Sequence, residues 1–457
     1  MGLIARSDYR GDLSWRNLRE AADLRLQHTP QHRAAIARVC AMALENPLRW
    51  PGSMKDFPDV HEVRRYLDIG FEHVDAPNGE ESIRLLTLRS FEPFGFGSRI
   101  PVTAQDRADA YESGIRAAEL ARRLGRFDLE SAALDGATSA IIGEGNYGHP
   151  RVRTLIERRL EIGELTEDPW EAGDIYSMAA WNQVMVGEYA EAVRTGAIGR
   201  ERAEGAVGLM NHCLNWVGAS HFLLGEWDRL LEIFDEVRDL LGDRTEDPPY
   251  FMMNIYGAAT FVHDARELAG AAALLDLLER SRKTVIIGSA IASYWLAWAV
   301  ARRGEHERGW ELIEQAKLAD MQARPLQDQV VAEVLAASER WDDVRAFLDA
   351  SRAYAAEAGL LALPVHLDRL EGRASIAAGE LDRGVELLAF ARDGFDRLGA
   401  AWERARTQLD LAEASLIAGR REDARAGLDA ATPVIERVGA LLEIERSRAL
   451  RGGLGSS

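Results

Sequence analysis

The residues that could carry chemistry are few, and most lack the neighbours that a reaction needs. Gly143 to Gly148 spell Gly-Glu-Gly-Asn-Tyr-Gly, which matches the dinucleotide fingerprint G-x-G-x-x-G, and an acidic residue, Asp168, follows downstream. That fingerprint must follow a strand, whereas residues 131–142 have the Ala-rich composition of a helix. We therefore expect a flexible interhelical loop here in place of a pyrophosphate site.

Metal and hydrolase motifs are also incomplete. His61 and His306 each precede a glutamate, but neither has the second histidine of H-E-x-x-H. His212 and Cys213 are adjacent, so they point in different directions on a helix, which is poor metal geometry. Neither a phosphate-binding G-x-x-x-x-G-K-[ST] loop nor a G-x-S-x-G elbow occurs. The sequence predicts no metal, no cofactor and no catalytic residue.

Charge limits the partners. The 457 residues include 55 basic and 74 acidic side chains, for a net charge of -19, and the basic residues are interleaved with acidic ones as on solvated helix faces. Such a surface repels phosphate backbones and anionic lipid, so we expect neither nucleic-acid nor membrane binding. Two cysteines form no disulfide framework, and no secretory signal is evident, so we expect a cytoplasmic protein.

One apolar stretch reaches the length of a membrane helix. Residues 284–301 carry no charge over 18 positions. This stretch runs to Gly304-Glu305, as a sister helix runs to Gly187-Glu188, so we expect a buried helix of a repeat array.

A repeated unit organises most of the chain. Residues 174–193 and 212–231 are two copies, each an apolar helix that ends in Gly-Glu-aromatic and is followed by an amphipathic helix. The glycines that end apolar helices in this way are Gly125, Gly187, Gly225, Gly304, Gly379 and Gly419. Asp264 and Glu339 take that position in two degenerate copies, and from Gly187 onward the spacing is 35 to 40 residues. A fixed period of this size predicts a helical solenoid.

Small residues support the same register. Seven positions before each turn residue, where paired helices must cross closely, every copy has alanine or glycine. These positions are Ala118, Ala180, Gly218, Gly257, Ala297, Ala332, Gly372 and Ala412. We expect the seven from Ala180 to Ala412 to be buried at helix–helix crossings.

The pattern resembles the tetratricopeptide repeat over roughly residues 104–450. Residues 394–420 are also similar to the helical-repeat tails of LuxR-type ATP-dependent regulators and of some nucleotide cyclases. The resemblance implies an all-α, right-handed solenoid of antiparallel helix hairpins, with a sensing or scaffolding role. We divide the chain into an N-terminal helical region, 1–103, and a repeat array, 104–457; Thr103 and Asp106 predict a capping box where the array begins.

In tetratricopeptide proteins, positions thirteen, ten and six before the turn residue line a concave groove. Here the middle position is polar in six copies, which suits an extended peptide, although a groove that is merely solvated would also be polar. Both interpretations stay open. The predicted groove residues are Ser177, Trp181, His212, Asn215, Phe251, Asn254, Tyr294, Trp298, Gln329, Arg369 and Arg373.

Three functions follow from these patterns. The first is a non-enzymatic module that binds a protein or peptide, as a signalling or transcription-regulator sensor or scaffold. The second is a small-molecule sensor with a pocket inside the superhelix, which would need an enclosed apolar volume of several hundred cubic ångströms. The third is an enzyme built around residues 91–99, where three phenylalanines lie in a Gly/Pro-rich segment. Such a segment could form a recognition lip, but more often it fills a gap between two helix pairs.

Overall fold

Every regular element in the described part of the chain is a helix. The computed structural model describes residues 10–54, 56–96, 100–284, 288–316 and 323–455. The first helices are α1 (Gly11–His28), α2 (Arg33–Leu48), α3 (Val60–Glu72), α4 (Glu80–Ser90), α5 (Glu92–Phe96), α6 (Ala104–Arg123), α7 (Phe127–Ile142) and α8 (Pro150–Leu165). The middle helices are α9 (Pro169–Val186), α10 (Tyr189–Arg202), α11 (Val207–Leu224), α12 (Trp227–Leu241), α13 (Met253–Ala265), α14 (Ala271–Thr284), α15 (Gly288–Arg302) and α16 (His306–Ala316). The last are α17 (Arg324–Ala337), α18 (Trp341–Glu357), α19 (Leu363–Ala377), α20 (Leu381–Arg397), α21 (Ala401–Ile417), α22 (Arg421–Val438) and α23 (Leu441–Gly455).

The chain forms two compact units. The first is drawn from Met1–Ala179, Ala197–Cys213 and Pro249–Phe251, and the second from Ala180–Gly196, Leu214–Pro248 and Met252–Ser457. Within the first, α4 packs against both α6 and α7. The boundary predicted after residue 103 therefore falls inside this unit.

Local signals in the first unit are read correctly from the sequence. The capping box forms, since the Thr103 hydroxyl accepts from the Asp106 backbone N–H at 3.1 Å and the Asp106 carboxylate accepts from the Thr103 N–H at 2.8 Å. The G-x-G-x-x-G segment follows helix α7, so the strand that a dinucleotide site requires is absent there. Phe91, in the segment considered as a recognition lip, is 1% exposed and belongs to a core cluster; Phe96 to Arg99 lie outside the described side chains.

The repeat turns are those that the glycine spacing predicts. All six turn glycines have positive φ, a conformation that glycine adopts without strain, and Glu339 takes it too at φ 52°. The copy at Asp264 is different, because α13 continues to Ala265 and the left-handed residue is Glu267 at φ 51°. The turn residue expected at Asp264 was therefore placed three positions early.

The small residues at the crossings are confirmed as buried. All eight alanines and glycines are classed as buried. At two of these positions glycine is required, because any side chain would clash. A Cβ at Gly218 would lie 2.5 Å from Ile255, and one at Gly257 would lie 2.1 Å from Trp295. In the second unit, α13, α15, α17, α19, α21 and α23 pack successively, each against the next.

The array in the second unit folds back on itself. The Val186 carbonyl accepts from the Leu361 N–H at 2.7 Å. The Arg266 guanidinium donates to the Val438 carbonyl at 2.7 Å across 172 residues. Arg302 also pairs with Glu443. Turns of earlier helix pairs thus touch the ends of later ones. No helix in the described part of the chain is long and apolar enough to cross a membrane.

Candidate ligand site

The predicted groove is closed. Asn215 is fully buried, and its side-chain oxygen accepts from the Ile255 N–H at 3.0 Å in the first turn of α13. Asn254 is 3% exposed, and its side-chain oxygen accepts from Trp295 Nε1 at 3.4 Å. Both amides join neighbouring helices, so the prediction that they face an open groove is wrong.

The physical reason is the fold-back of α21. Trp402, at its start, packs against Phe222, Phe261 and Trp298 with ring centroids 5.9, 5.6 and 6.1 Å apart. These rings lie on α11, α13 and α15, the helices whose inner faces should have stayed open. Trp298, predicted as an apolar anchor for a ligand, is a core residue at 7% exposure.

Substituting Asn215 should therefore change stability. Asn215→Ala leaves the buried Ile255 N–H without an acceptor, and we expect a loss of about 1–3 kcal/mol. A groove residue would have left the unfolding free energy nearly unchanged. Urea melts measure the change in unfolding free energy, with Asn78→Ala, at an exposed position, as the control. An Asn215→Ala variant as stable as wild type would contradict the stabilising hydrogen bond from Asn215 to α13.

Other predicted residues are dispersed. In the first unit, the Ser177 hydroxyl donates to the Asp174 carbonyl of its own helix, and His212 meets Phe251 edge-on at 4.9 Å. Burial lowers the pKa of His212 to about 4, so the ring is neutral. In the second unit, Trp181 stacks on Trp216 at 5.7 Å.

Arg369, also predicted to line the groove, belongs to a buried network that we call the ion ladder: Glu333, Arg369, Glu403, Arg406 and Asp410. Arg369 is 3% exposed and donates to Glu333 at 3.1 Å, Glu403 at 2.9 Å and Asp410 at 2.8 Å. Arg406 donates to Glu333 at 2.6 Å and to Glu403 at 2.9 Å. These contacts join α17, α19 and α21. Because both arginines already have carboxylate partners, neither guanidinium group is left to bind a ligand.

Two carboxyl groups of the ladder have pKa values shifted in opposite directions. Burial, together with the nearby Glu333 carboxylate, raises the pKa of Glu403 to about 7. Although burial acts in the other direction, Arg406 and Arg369 lower the pKa of Glu333 to about 2. Arg373, the remaining predicted arginine, lies beside the ladder and donates to the Ala336 carbonyl at 3.3 Å.

Four predicted residues do meet, around a narrow cavity that we call the Gln cavity. It has a volume of about 30 Å³, and its lining includes Asn254, Tyr294, Trp298, Gln327 and Gln329. Gln327 was not predicted; it is 8% exposed, and its side-chain N–H₂ has no hydrogen-bond partner among the described residues. A volume of about 30 Å³ is close to that of one water, so this cavity cannot hold the small molecule that the second hypothesis requires.

A larger hollow lies on the opposite face of α17, and we call it the Trp310 pocket. Its volume is about 380 Å³, and Tyr294, Trp310 and Phe347 contribute aromatic surface. Its polar groups contact one another. Arg324 Nε lies 3.5 Å from Asp328 Oδ2, and the same carboxylate oxygen accepts from the Ser351 hydroxyl at 3.0 Å.

Neighbouring contacts hold the Trp310 pocket in shape. The Arg324 guanidinium lies over the Tyr354 ring at 3.7 Å, and Arg340 lies over Trp310 at 4.3 Å. Apart from Tyr294, sequence reasoning missed these residues because they lie on α16, α18 and the other face of α17, outside the groove positions. Trp310 lies six residues after Gly304 and Phe347 lies eight residues after Glu339, so no shared repeat position marks them.

A third hollow, of about 650 Å³, lies in the first unit beside the segment considered for an enzyme site. Arg64 and Glu92 in its lining pair at 2.8 Å, and Asp106 is used by the capping box. Arg64, Glu92 and Asp106 are therefore engaged in structural contacts of α3, α5 and α6.

Comparisons with known proteins add little. No protein-family model and no curated protein matches this chain. A solved structure described as a circular tandem repeat protein with novel repeat topology and enhanced subunit contact surfaces is similar at 14% identity, over 98% of this chain and 89% of that chain. Its TM-score of 0.14 is too low to support an argument about this chain.

Proposed function

We propose that this chain is a non-enzymatic interaction module that senses a small planar molecule in the Trp310 pocket. The fold would be a right-handed solenoid of antiparallel helix hairpins, as the resemblance to tetratricopeptide repeats implies. A cytoplasmic regulatory role, with a protein partner that receives the signal, belongs to the same proposal. The peptide-groove version is not retained, because Asn215 and Asn254 are buried between helices.

The observation that carries this proposal is the size and chemistry of the Trp310 pocket. Its volume of about 380 Å³ falls within the range of roughly 300–1,000 Å³ that is usual for small-molecule sites. Such sites combine apolar and aromatic walls with a few placed polar groups. Trp310 and Phe347 supply half-buried aromatic surface, while Arg324, Asp328 and Ser351 supply the polar groups.

The charges define the class of ligand. Arg324 is balanced by Asp328, and Asp343 on the pocket edge is paired with Arg340 at 2.7 Å. An ionic ligand would add a charge that no side chain of the pocket is left to balance. The pocket is therefore suited to a neutral planar ring that carries one group able to donate and accept hydrogen bonds.

Calorimetry with indole-3-carboxamide, a neutral planar amide, tests the proposal. We expect Phe347→Ala to weaken its binding by about tenfold or more, equivalent to roughly 1.4 kcal/mol, because the ring loses a stacking surface. Phe390→Ala is the matched control, since Phe390 is 58% exposed on α20 and lies outside the pocket.

Two charged analogues sharpen the same experiment. Indole-3-carboxylate and tryptamine keep the ring but add a negative or a positive charge, and both should bind more weakly than the amide. Equal affinity of the Phe347 variant and wild type, or tightest binding of a charged analogue, would contradict the proposed site.

A further inference from the structure

The helix between the two hollows has room on both faces. Leu326, Gln327 and Gln329 of α17 line the Gln cavity, and Arg324 and Asp328 line the Trp310 pocket. Protein interiors are normally packed as densely as organic crystals, so free volume on opposite faces of one helix is unusual. The Gln cavity borders the first half of α17, as far as Val330, whereas the Trp310 pocket also reaches Val331 and Leu335.

The second half of α17 is held firmly. Glu333 accepts from Arg369 on α19 and from Arg406 on α21, and Ala332 is 2% exposed at a helix crossing. Val334 and Leu335 are fully buried. Glu333 therefore marks a fixed point, whereas Gln327 and Gln329, which precede it, border the free volume of the Gln cavity.

The position of Gln327 points to a second arrangement of the first half. Its side-chain N–H₂ is buried without a partner in the described part of the chain, which is costly for a neutral donor. Asn254 and Tyr294 line the same cavity and carry acceptor oxygens. A small shift of α17 toward the cavity would bring the Gln327 amide nearer to them.

We propose that α17 pivots about Glu333 and couples the Trp310 pocket to the Gln cavity. A ligand in the pocket lies against the face with Arg324 and Asp328, and favours the position in which the first half of α17 moves into the cavity. Glu333 passes this change to α19 and α21 through Arg369 and Arg406. This inference rests on the proposed function for the ligand, but the mobility of α17 is a property of the free protein.

Filling the cavity tests the pivot. Ala219 lies on α11, lines the Gln cavity and does not line the pocket. Ala219→Val should weaken binding of indole-3-carboxamide about tenfold without altering any pocket residue, because the inward position of α17 is blocked. Ala258→Val, at a buried alanine of α13 outside both hollows, controls for general overpacking. Unchanged affinity in Ala219→Val would overturn the coupling while leaving the pocket intact.

Hydrogen exchange on the free protein gives a second readout that needs no ligand. In wild type, the amides of residues 327–331 should exchange at least tenfold faster than those of residues 333–337. Gln327→Leu removes the unpartnered amide and should slow exchange in the first half while raising Tm, and it serves if Ala219→Val does not fold. Equal exchange in both halves would overturn the pivot, whereas absence of binding to wild type would overturn only the proposed function.

Discussion

Arg369→Met should destabilise the second unit by about 3–5 kcal/mol at pH 8. Arg369 is 3% exposed and is bonded to Glu333, Glu403 and Asp410. Methionine fills most of the same volume, but it leaves three buried carboxyl groups with less positive charge than they need. Removing one partner of a buried ion network is strongly destabilising because the remaining charge is uncompensated.

The loss should depend on pH in a defined direction. The folded pKa of Glu403, about 7, lies above its ordinary value of 4.5, so between these values the folded state binds a proton that the unfolded state does not. The contribution of Glu403 is therefore fully present below about pH 4.5 and decreases as pH rises toward 7. Removing Arg369 raises the carboxyl pKa values further, so the variant should recover part of its loss at pH 6 by protonation.

Urea melts of Arg369→Met at pH 6 and pH 8 measure both effects. Arg392→Met is the control, because Arg392 forms an exposed ion pair with its neighbour Asp393 at 2.7 Å, and it should change stability by less than about 0.5 kcal/mol. A loss below about 1 kcal/mol at pH 8 would show that the ladder does not hold these helices together. An equal loss at both pH values would contradict the protonation of the ladder carboxyl groups.

Gly257→Leu should cost on the order of 3 kcal/mol or more. A Cβ there would lie 2.1 Å from Trp295 Cγ and 2.3 Å from Cδ1. Trp295 cannot simply rotate away, because its ring packs against Phe222 at 5.1 Å and Trp298 at 5.8 Å. Overpacking that forces rings or backbone to move costs typically about 1–3 kcal/mol, occasionally more.

A series of glycine variants ranks the crossings. Gly218→Leu meets the flexible end of Ile255 at 2.5 Å, and Gly372→Leu meets Leu388 at 2.9 Å, so both should lose less, about 1–3 kcal/mol. Gly452→Leu is the control, because no atom lies within 4 Å of its Cβ position. Thermal melts should follow the order Gly257, Gly218, Gly372, Gly452 from largest to smallest loss; any other extreme member would contradict this packing.

Features with local causes were predictable from the sequence. A left-handed turn favours glycine, and a close crossing requires a small side chain, so Gly187 and Gly218 each report their own surroundings. Thr103 and Asp106 likewise cap a helix within one turn of chain. The copy at Asp264 was misplaced because no glycine marks where its helix ends.

The site was not predictable, because it depends on contacts between distant segments. Whether Asn254 faces solvent or Trp295 depends on α21 returning to cover α11, α13 and α15, and no repeat position encodes that return. Arginine is a residue type that often binds ligands, but the partners of Arg369 are carboxyl groups up to 41 residues away on other helices. The Trp310 pocket arises from imperfect packing around α17, which no single side chain announces.

The fold-back also delays the formation of some contacts during synthesis of the chain. Arg266 meets the Val438 carbonyl 172 residues later, an interval that a ribosome takes about 9–34 s to add at roughly 5–20 residues per second. Trp298 is added 104 residues before Trp402, so Phe222, Phe261 and Trp298 are all complete about 5–21 s before Trp402, which packs against all three. The nascent chain thus carries an uncovered aromatic surface for many seconds, and crowded polysomes are where its aggregation would begin.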